Sequence, residues 1–401
     1  MHHQPMESTS ATVAGTRRFT EYFPPLRHEE WKYVAFLSEL RERAFAILEA
    51  PSPPVSPIAS VEANHIIFTG GVPRMNIDAS DQRYVTWIEG GRMPGDAFTD
   101  DEQTDNPFLR LTSDVAPGIL RITVPRGEQP GRPFYLHYLP TSDHASILPV
   151  QIWWEVEDEA SLTLIEISEP MGKGATWILR TAFGNIGCGG RMHHGTIQVG
   201  EGQHYEIFHA HSRVGGNGYY QHDYVGWSDI RRTRNNLHVT FAGPEAEGHM
   251  NGLFLVDGKG FIDNHTRFTH QEPHCRSHEQ YHGLLRRQGV GVFNGKIYVD
   301  RAAQKTDAYQ SNRNVLLDGM PTMNAKPQLE IFADDVRCSH GCTVGPLDES
   351  GVFYLTSRGI TPSEARHMMA MAFGQVVAEL MHPIVRQAAI QMLNAQLTTH
   401  A

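Results

Sequence analysis

Cys338, His340 and Cys342 stand two residues apart in the stretch PQLEIFADDVRCSHGCTVGPLDESGVFYLTSRG, from Pro327 to Gly359. The stretch reads as strand, turn, strand. Successive side chains of a strand alternate faces, so all three metal-compatible groups point the same way. At a rise of roughly 3.3 Å per residue, neighbours lie roughly 6–7 Å apart and the outer pair roughly 13 Å apart. A single ion held at roughly 2.0–2.3 Å from each ligand cannot bridge that span. Chemistry at this strand therefore needs ligands from elsewhere.

The chain carries 23 histidines, so other clusters compete. His270, His274, His278 and His282 recur every four residues, a spacing that would build a metal-binding face on a helix. Pro273 argues against that helix, and on a strand the four lie too far apart to share an ion. A structural or surface role is expected for them. His209 and His211, in EIFHAHS, resemble the His-x-His of a cupin metal site. Ser212, Arg213, Val214, Gly215 and Gly216 follow without an acid, so that enzyme-class alternative, a cupin-like β-rich metal-dependent enzyme, loses its third ligand. Cys188 and Cys275 have no Cys-x-x-Cys partner, which speaks against a permanently held cluster on local thiolates. No resident metal is expected in the isolated chain, because no four-ligand constellation is within reach of one ion. A Walker A loop, a G-x-G-x-x-G turn after a strand and a G-x-S-x-G elbow are all missing, and PRGEQPGRP near Pro125 reads as a turn.

The elements that must position these residues follow from composition and pattern. With 401 residues, 34 Lys and Arg against 45 Asp and Glu, the net charge is −11, which argues against a nucleic-acid binder. Four cysteines in a chain this long are no disulfide framework. The beginning MHHQPMESTSATVAGTRR lacks the apolar run of a signal peptide, and no stretch reaches the length of a membrane span. The default location is cytoplasmic.

Residues 1 to about 18 read as a disordered tail. Trp31, Val34, Leu37, Leu40, Phe45 and Leu48 recur at helical spacing, predicting one amphipathic helix from His28 to Leu48. The prolines of APSPPVSPIAS end it, giving an N-terminal segment of 1–60. A mixed connecting region of 61–117 contains the acidic, turn-rich GDAFTDDEQTDN. From 118 to 358, short runs such as LRITV, HYEIF, GLFLV and KIYV alternate with VGEG, GGNG and DGKG, a texture of strands without helices. Barrel, sandwich and solenoid all remain open on this pattern, since no clean fixed-length repeat is visible. From 359 to 401 the chain turns helical. Thr361 and Glu364 make a capping box with Pro362 at the first helical position, and Pro383 opens a second helix. The first of these helices carries Met368, Met369, Met371 and Val376, a methionine-rich row of the kind used at partner surfaces.

One family accounts for several of these features together. The run ADDVRCSHGCTVG, preceded by GVFNGKIYVDRAAQKTDAYQSNRNVLL, followed by FYLTSRGI and joined by RHEEWKYVAFLSEL near the start, resembles the SufB/SufD family of iron–sulfur cluster assembly scaffolds. The resemblance runs from about Asn264 to about Phe373. It is SufD-like rather than SufB-like, since Gly341 follows His340 where SufB-type sequences have acidic residues on both sides of the histidine. Cys342 departs from the pattern, which resembles CSHGAT. The resemblance implies a mainly β fold, a right-handed parallel β-helix flanked by helical ends. It also implies a non-catalytic scaffold subunit that pairs with SufB and binds the ATPase SufC, with a homodimer open to the isolated chain. A transient Fe–S cluster would form at the SufB interface, with His340 and, less directly, Cys338 on this side. Met368, Met371 and Val376 would face SufC. Whether a reduced flavin binds the assembled complex stays open.

Overall fold

The computed structural model describes residues 16–25, 28–34, 36–48, 62–170, 172–200 and 202–398. The proline-rich linker and most of the N-terminal tail expected from sequence lie outside these residues. From Gly118–Val124 onward, consecutive strands alternate between two ten-stranded sheets. Each strand pairs in parallel with the strand two places before and two places after it. This is a parallel β-solenoid of about eight turns with helices at its N- and C-terminal ends, the architecture the resemblance implied.

The repeat is real but elastic, which hides it in the sequence. Register partners advance by 30 residues from Ser146 to Thr176, by 27 from Tyr205 to Arg232 and by 32 from Val290 to Thr322. The slack sits in the corners. Asn217, Glu245, His274 and Lys305 adopt left-handed backbone at φ 54, 58, 63 and 62°, a conformation that costs a side-chain-bearing residue roughly 1–2 kcal/mol. Each donates its backbone N–H to a carbonyl of the next turn, Asn217 to Pro244, Glu245 to Pro273, His274 to Gln304 and Lys305 to Asp335. The cost is thereby offset at every turn.

Inside the stack, Ile122, Trp154, Phe208, Phe254, Phe268 and Phe293 form one apolar core. Charge is buried in its middle. Arg180 lies between Glu166 and Glu206, at 2.5 Å from each. Tyr138 donates to Glu166 at 2.5 Å, His194 reaches its other oxygen at 2.6 Å, and Arg231 pairs with Glu206. Burial pushes the Glu166 carboxyl up, but the Arg180 charge and the His194 bond outweigh it and hold it at about 2.

Three expectations require correction. The segment His28–Leu48 is not one helix: a 3-10 turn at Glu29–Trp31 and a helix at Leu37–Glu42 are followed by a short strand, Ala46–Ile47, paired with Ser146 and Ile147. Its aromatics pack on the sheet and on the helix Phe108–Val115: Phe36 on Tyr205 and Phe261, Phe45 on Trp177, and Trp31 on Phe108. A chain following the spaced strands wins over helical propensity there. The acidic stretch read as turns contains the helix Asp100–Asp105, closed by a Thr99–Glu102 capping box and followed by Phe108–Val115. Residues 349–356, read as part of the β-core, form a helix capped by Asp348. The two final helices, Pro362–Ala378 and Pro383–Thr398, stand where the capping box and Pro383 put them. They cover one sheet through Val377, Ala378, Met381, Val385 and Leu393, which pack on Val225, Leu253 and Leu284.

Replacing Arg180 by Met would leave Glu166 and Glu206 without their shared cation. The expected loss, read by urea denaturation of the chain, is about 3–5 kcal/mol.

Candidate functional site at the last rung

The last turn consists of the strands Thr322–Ile331 and Arg337–Pro346. Each is the outermost strand of its sheet. Because the stack is in register, three interior columns can be followed to the end. Gly248, Ser277 and Ala308 lead to Cys338; Met250, Glu279 and Gln310 lead to His340; Gly252, Tyr281 and Asn312 lead to Cys342. The alternation read from the sequence holds, and all three side chains lie in the mouth of the solenoid. His340 and Cys342 are exposed, while Cys338 is half-buried against Ala308 and Ile297. Gly341 and Gly345 have nothing within 4 Å of where a Cβ would stand. Apolar side chains also face solvent around this end: Phe332 is 54 % and Val344 44 % exposed.

Neither thiol is activated. Burial, then the Asp307 charge, raises the Cys338 thiol above its ordinary value, and burial raises Cys342. No cation lowers the Cys342 thiol, and Arg358 stacks on Tyr354. Beneath His340, the fully buried Glu279 accepts from Gln310 Nε2 at 2.7 Å, and burial pushes it up to about 7.

The other histidines disperse. His270 bonds Ser277 Oγ at 2.9 Å, and His274 makes a corner. His278 sits between His249 and Tyr309 on the outside, and His282 stacks on Phe373. Cys188 is exposed and Cys275 buried, the latter thiol pushed up to about 11 by burial. On the first long C-terminal helix, Met368 and Val376 are 47 % and 57 % exposed. Met371 instead packs against the apolar layer beneath. His209 and His211 do gain an acid: Glu102 stands 3.1 Å from His209 Nε2 although 107 residues away in the chain. That residue was missed because the helix carrying it was read as turns. Its one visible signal was the Thr99-x-x-Glu102 capping box. Glu102 thus converges with His209 and His238 in a three-residue set that the sequence did not show. The parallel solenoid is not the antiparallel jelly roll of a cupin, so the cupin-like fold lapses.

Residues 141–373 match the family model described as SUF system FeS cluster assembly, SufBD core domain. The chain belongs to the SufBD family. It is 25 % identical over 364 residues, 89 % of this chain and 85 % of the relative, to the iron–sulfur cluster assembly protein SufD of Escherichia coli (strain K12). It is 30 % identical to the chloroplastic protein ABCI7 of Arabidopsis thaliana over 68 % of this chain and 59 % of that one. A third relative, the SufD protein of Bacillus subtilis (strain 168), is 30 % identical over 36 % of this chain and 32 % of its own length. The SufBD match takes in the mouth of the solenoid and the first part of the helical layer, so the last rung belongs to the family's core. Among the described residues no helix is long and apolar enough to cross a membrane.

The buried Glu279 gives a pH signature. Its native value near 7 stands above the ordinary 4.5, so the folded chain keeps a proton that the unfolded chain releases. Stability from this group is present below about pH 4.5 and is lost as pH rises through 7, by about 3 kcal/mol in all. Glu279→Gln cannot ionise. Its stability relative to the natural chain, measured by urea denaturation, should rise by about 2.5 kcal/mol between pH 5 and pH 8.

Proposed function

We propose that this chain is the SufD-type, non-catalytic scaffold of a cytoplasmic iron–sulfur assembly complex, meeting a SufB partner through its last rung and docking the ATPase SufC on its C-terminal helices. The observation that carries the reading is the unpaired last turn, with His340 at the end of an interior column. Strand edges with free N–H and C=O groups are templates for another chain. Here they are two strands of ten residues each, flanked by exposed apolar side chains. A second solenoid placed end to end would satisfy them, and the same surface could pair two copies of the isolated chain.

The cluster is cargo in this reading. His340 offers an imidazole, a borderline donor suited to iron. Cys338 is half-buried and spaced roughly 6–7 Å from it, so thiolate ligands come from the partner. Incomplete ligation on each side suits a site that must release what it builds. In a reconstituted complex supplied with iron and a sulfur donor, His340→Ala should lower the Fe–S absorbance yield several-fold while the subunits still co-purify. Cys342→Ala should leave the yield within error, since its position needs no ligating atom. A normal yield in His340→Ala would remove that residue from the mechanism and leave a purely structural subunit.

For SufC, the supporting feature is the outward pair Met368 and Val376, 47 % and 57 % exposed, on a helix anchored from its other side, with Leu380, 47 % exposed, in the turn just past its end. Met371 supports this surface from below. Deleting the helices would bare Val225, Leu253 and Leu284, so truncation cannot be expected to leave an intact core. The cleaner test is Val376→Glu, which should weaken SufC capture at least about tenfold by removing an apolar anchor while SufB pairing persists. Undiminished capture would place the ATPase elsewhere.

A further inference from the structure

We propose that Glu102, His209 and His238 form a binding site for a divalent transition metal ion on the outer face of the solenoid. The site does not rest on the scaffold reading. The strands His204–Val214 and Arg232–Phe241 are parallel neighbours with His211 opposite His238 and His209 opposite Asn236. The three imidazoles therefore share one outward patch, His238 lying with its ring centroid 5.0 Å from that of His209 and 6.3 Å from that of His211. Glu102 is brought over them by the helix Asp100–Asp105, its carboxylate aimed by the Thr99 backbone N–H at 2.8 Å. The adjoining helix is pinned through Phe108 and Leu111 in an apolar cluster with Trp31 and Trp177.

Glu102 Oε1 lies 3.1 Å from His209 Nε2 and 2.8 Å from His238 Nδ1, and Oε2 lies 3.0 Å from His211 Nδ1. One ligand atom from each of Glu102, His209 and His238 falls within 4.8 Å of the others. Around an ion with bonds of about 2.1 Å, ligand atoms stand about 3.0 Å apart at right angles and about 3.4 Å apart in a tetrahedron. Two of the three spacings already suit coordination. The remaining one closes by rotation of His238, whose side chain is 20 % exposed where the other ligands are nearly sealed.

Two imidazoles and a carboxylate on one face make a donor set for Fe²⁺ or Zn²⁺. The open positions face a cleft of about 290 Å³ whose rim carries Asp101, Asp105 and Glu30. Three of the cations that also line it are paired, Arg234 with Asp263, Lys296 with Glu330 and Lys326 with Glu29. The proton count balances. His238 shifts its proton from Nδ1 to Nε2. His209 shifts its own from Nε2 to Nδ1, where the Asn106 amide, 3.2 Å away, accepts it by turning its oxygen from the Phe108 N–H that it now holds. The ion adds two positive charges beside one buried carboxylate.

The test uses the full chain, stripped with a chelator, dialysed and titrated calorimetrically with Zn²⁺ alone and, without oxygen, with Fe²⁺ alone. One equivalent should bind with Kd below about 1 µM, and Zn²⁺ should raise Tm. His238→Ala, a change at the partly exposed edge, and His209→Gln should each raise Kd at least about tenfold and abolish the Tm rise. Circular dichroism must show them folded. His249→Ala, a histidine elsewhere on the surface, should bind as the natural chain does, and so should His340→Ala. No stoichiometric binding, or binding that these ligand variants leave unchanged, would overturn the site as an adventitious ion only. Because His340→Ala and His238→Ala report separately, loss of the metal site and loss of the scaffold function are distinguishable.

Discussion

A parallel stack satisfies the backbone of each strand only through the turns on either side of it, and the rest of this molecule follows from that constraint. It explains why residues some thirty apart, such as Ser146 and Thr176, become nearest neighbours. It also explains the left-handed corners, which keep each turn in phase with the next. At the first turns the chain provides closing hairpins, with Val85–Glu89 antiparallel to Gly118–Val124 and Arg74–Asn76 antiparallel to Asn64–Phe68. At the last turn, among the described residues, no strand pairs beyond Thr322–Ile331 or Arg337–Pro346. An edge of that length is an aggregation hazard unless a partner takes it.

The interior changes character toward that end. Apolar residues from Ile122 to Phe293 fill the early and middle turns, and the buried charges of Arg180, Glu166 and Glu206 are matched one to another. Beyond Phe293 polar side chains enter the interior beside a small apolar cluster of Ile297, Val299 and Ala308: Gln310, Asn312 and Asn314 are buried, Asn314 donating to Asn312 at 2.6 Å. A terminus built to stand alone would place large apolar side chains there. A polar mouth loses burial energy at roughly 25 cal/mol per Å² of apolar surface not covered, and it leaves hydrogen-bonding groups facing the exit.

What the sequence disclosed and what it hid divide along the reach of each signal. Local signals were legible: the capping box at Thr361 and Glu364, Pro383, and the alternation that turns Cys338, His340 and Cys342 to one side. Signals spread over a whole turn were not, because corners vary the advance from 27 to 32 residues and blur any fixed period. The β-helix came from the resemblance rather than from periodicity. Glu102 was hidden for a third reason. Its helix is short and acidic, with no apolar stripe of its own, and it is held by tertiary contacts that no window of residues displays. The same tertiary override broke the helix expected from His28 to Leu48.

The two thiols at the mouth bear on which side of a shared site supplies sulfur. Cys338 is held up by burial and by Asp307, and Cys342 by burial, so the free thiols are weak nucleophiles toward a sulfur donor and would have to release a proton to ligate a metal. Removing water by docking another surface deepens the desolvation that raises them. An imidazole ligates through a ring nitrogen and not through a thiolate. In the proposed scaffold, His340 would therefore complete a site whose thiolates are carried by a partner.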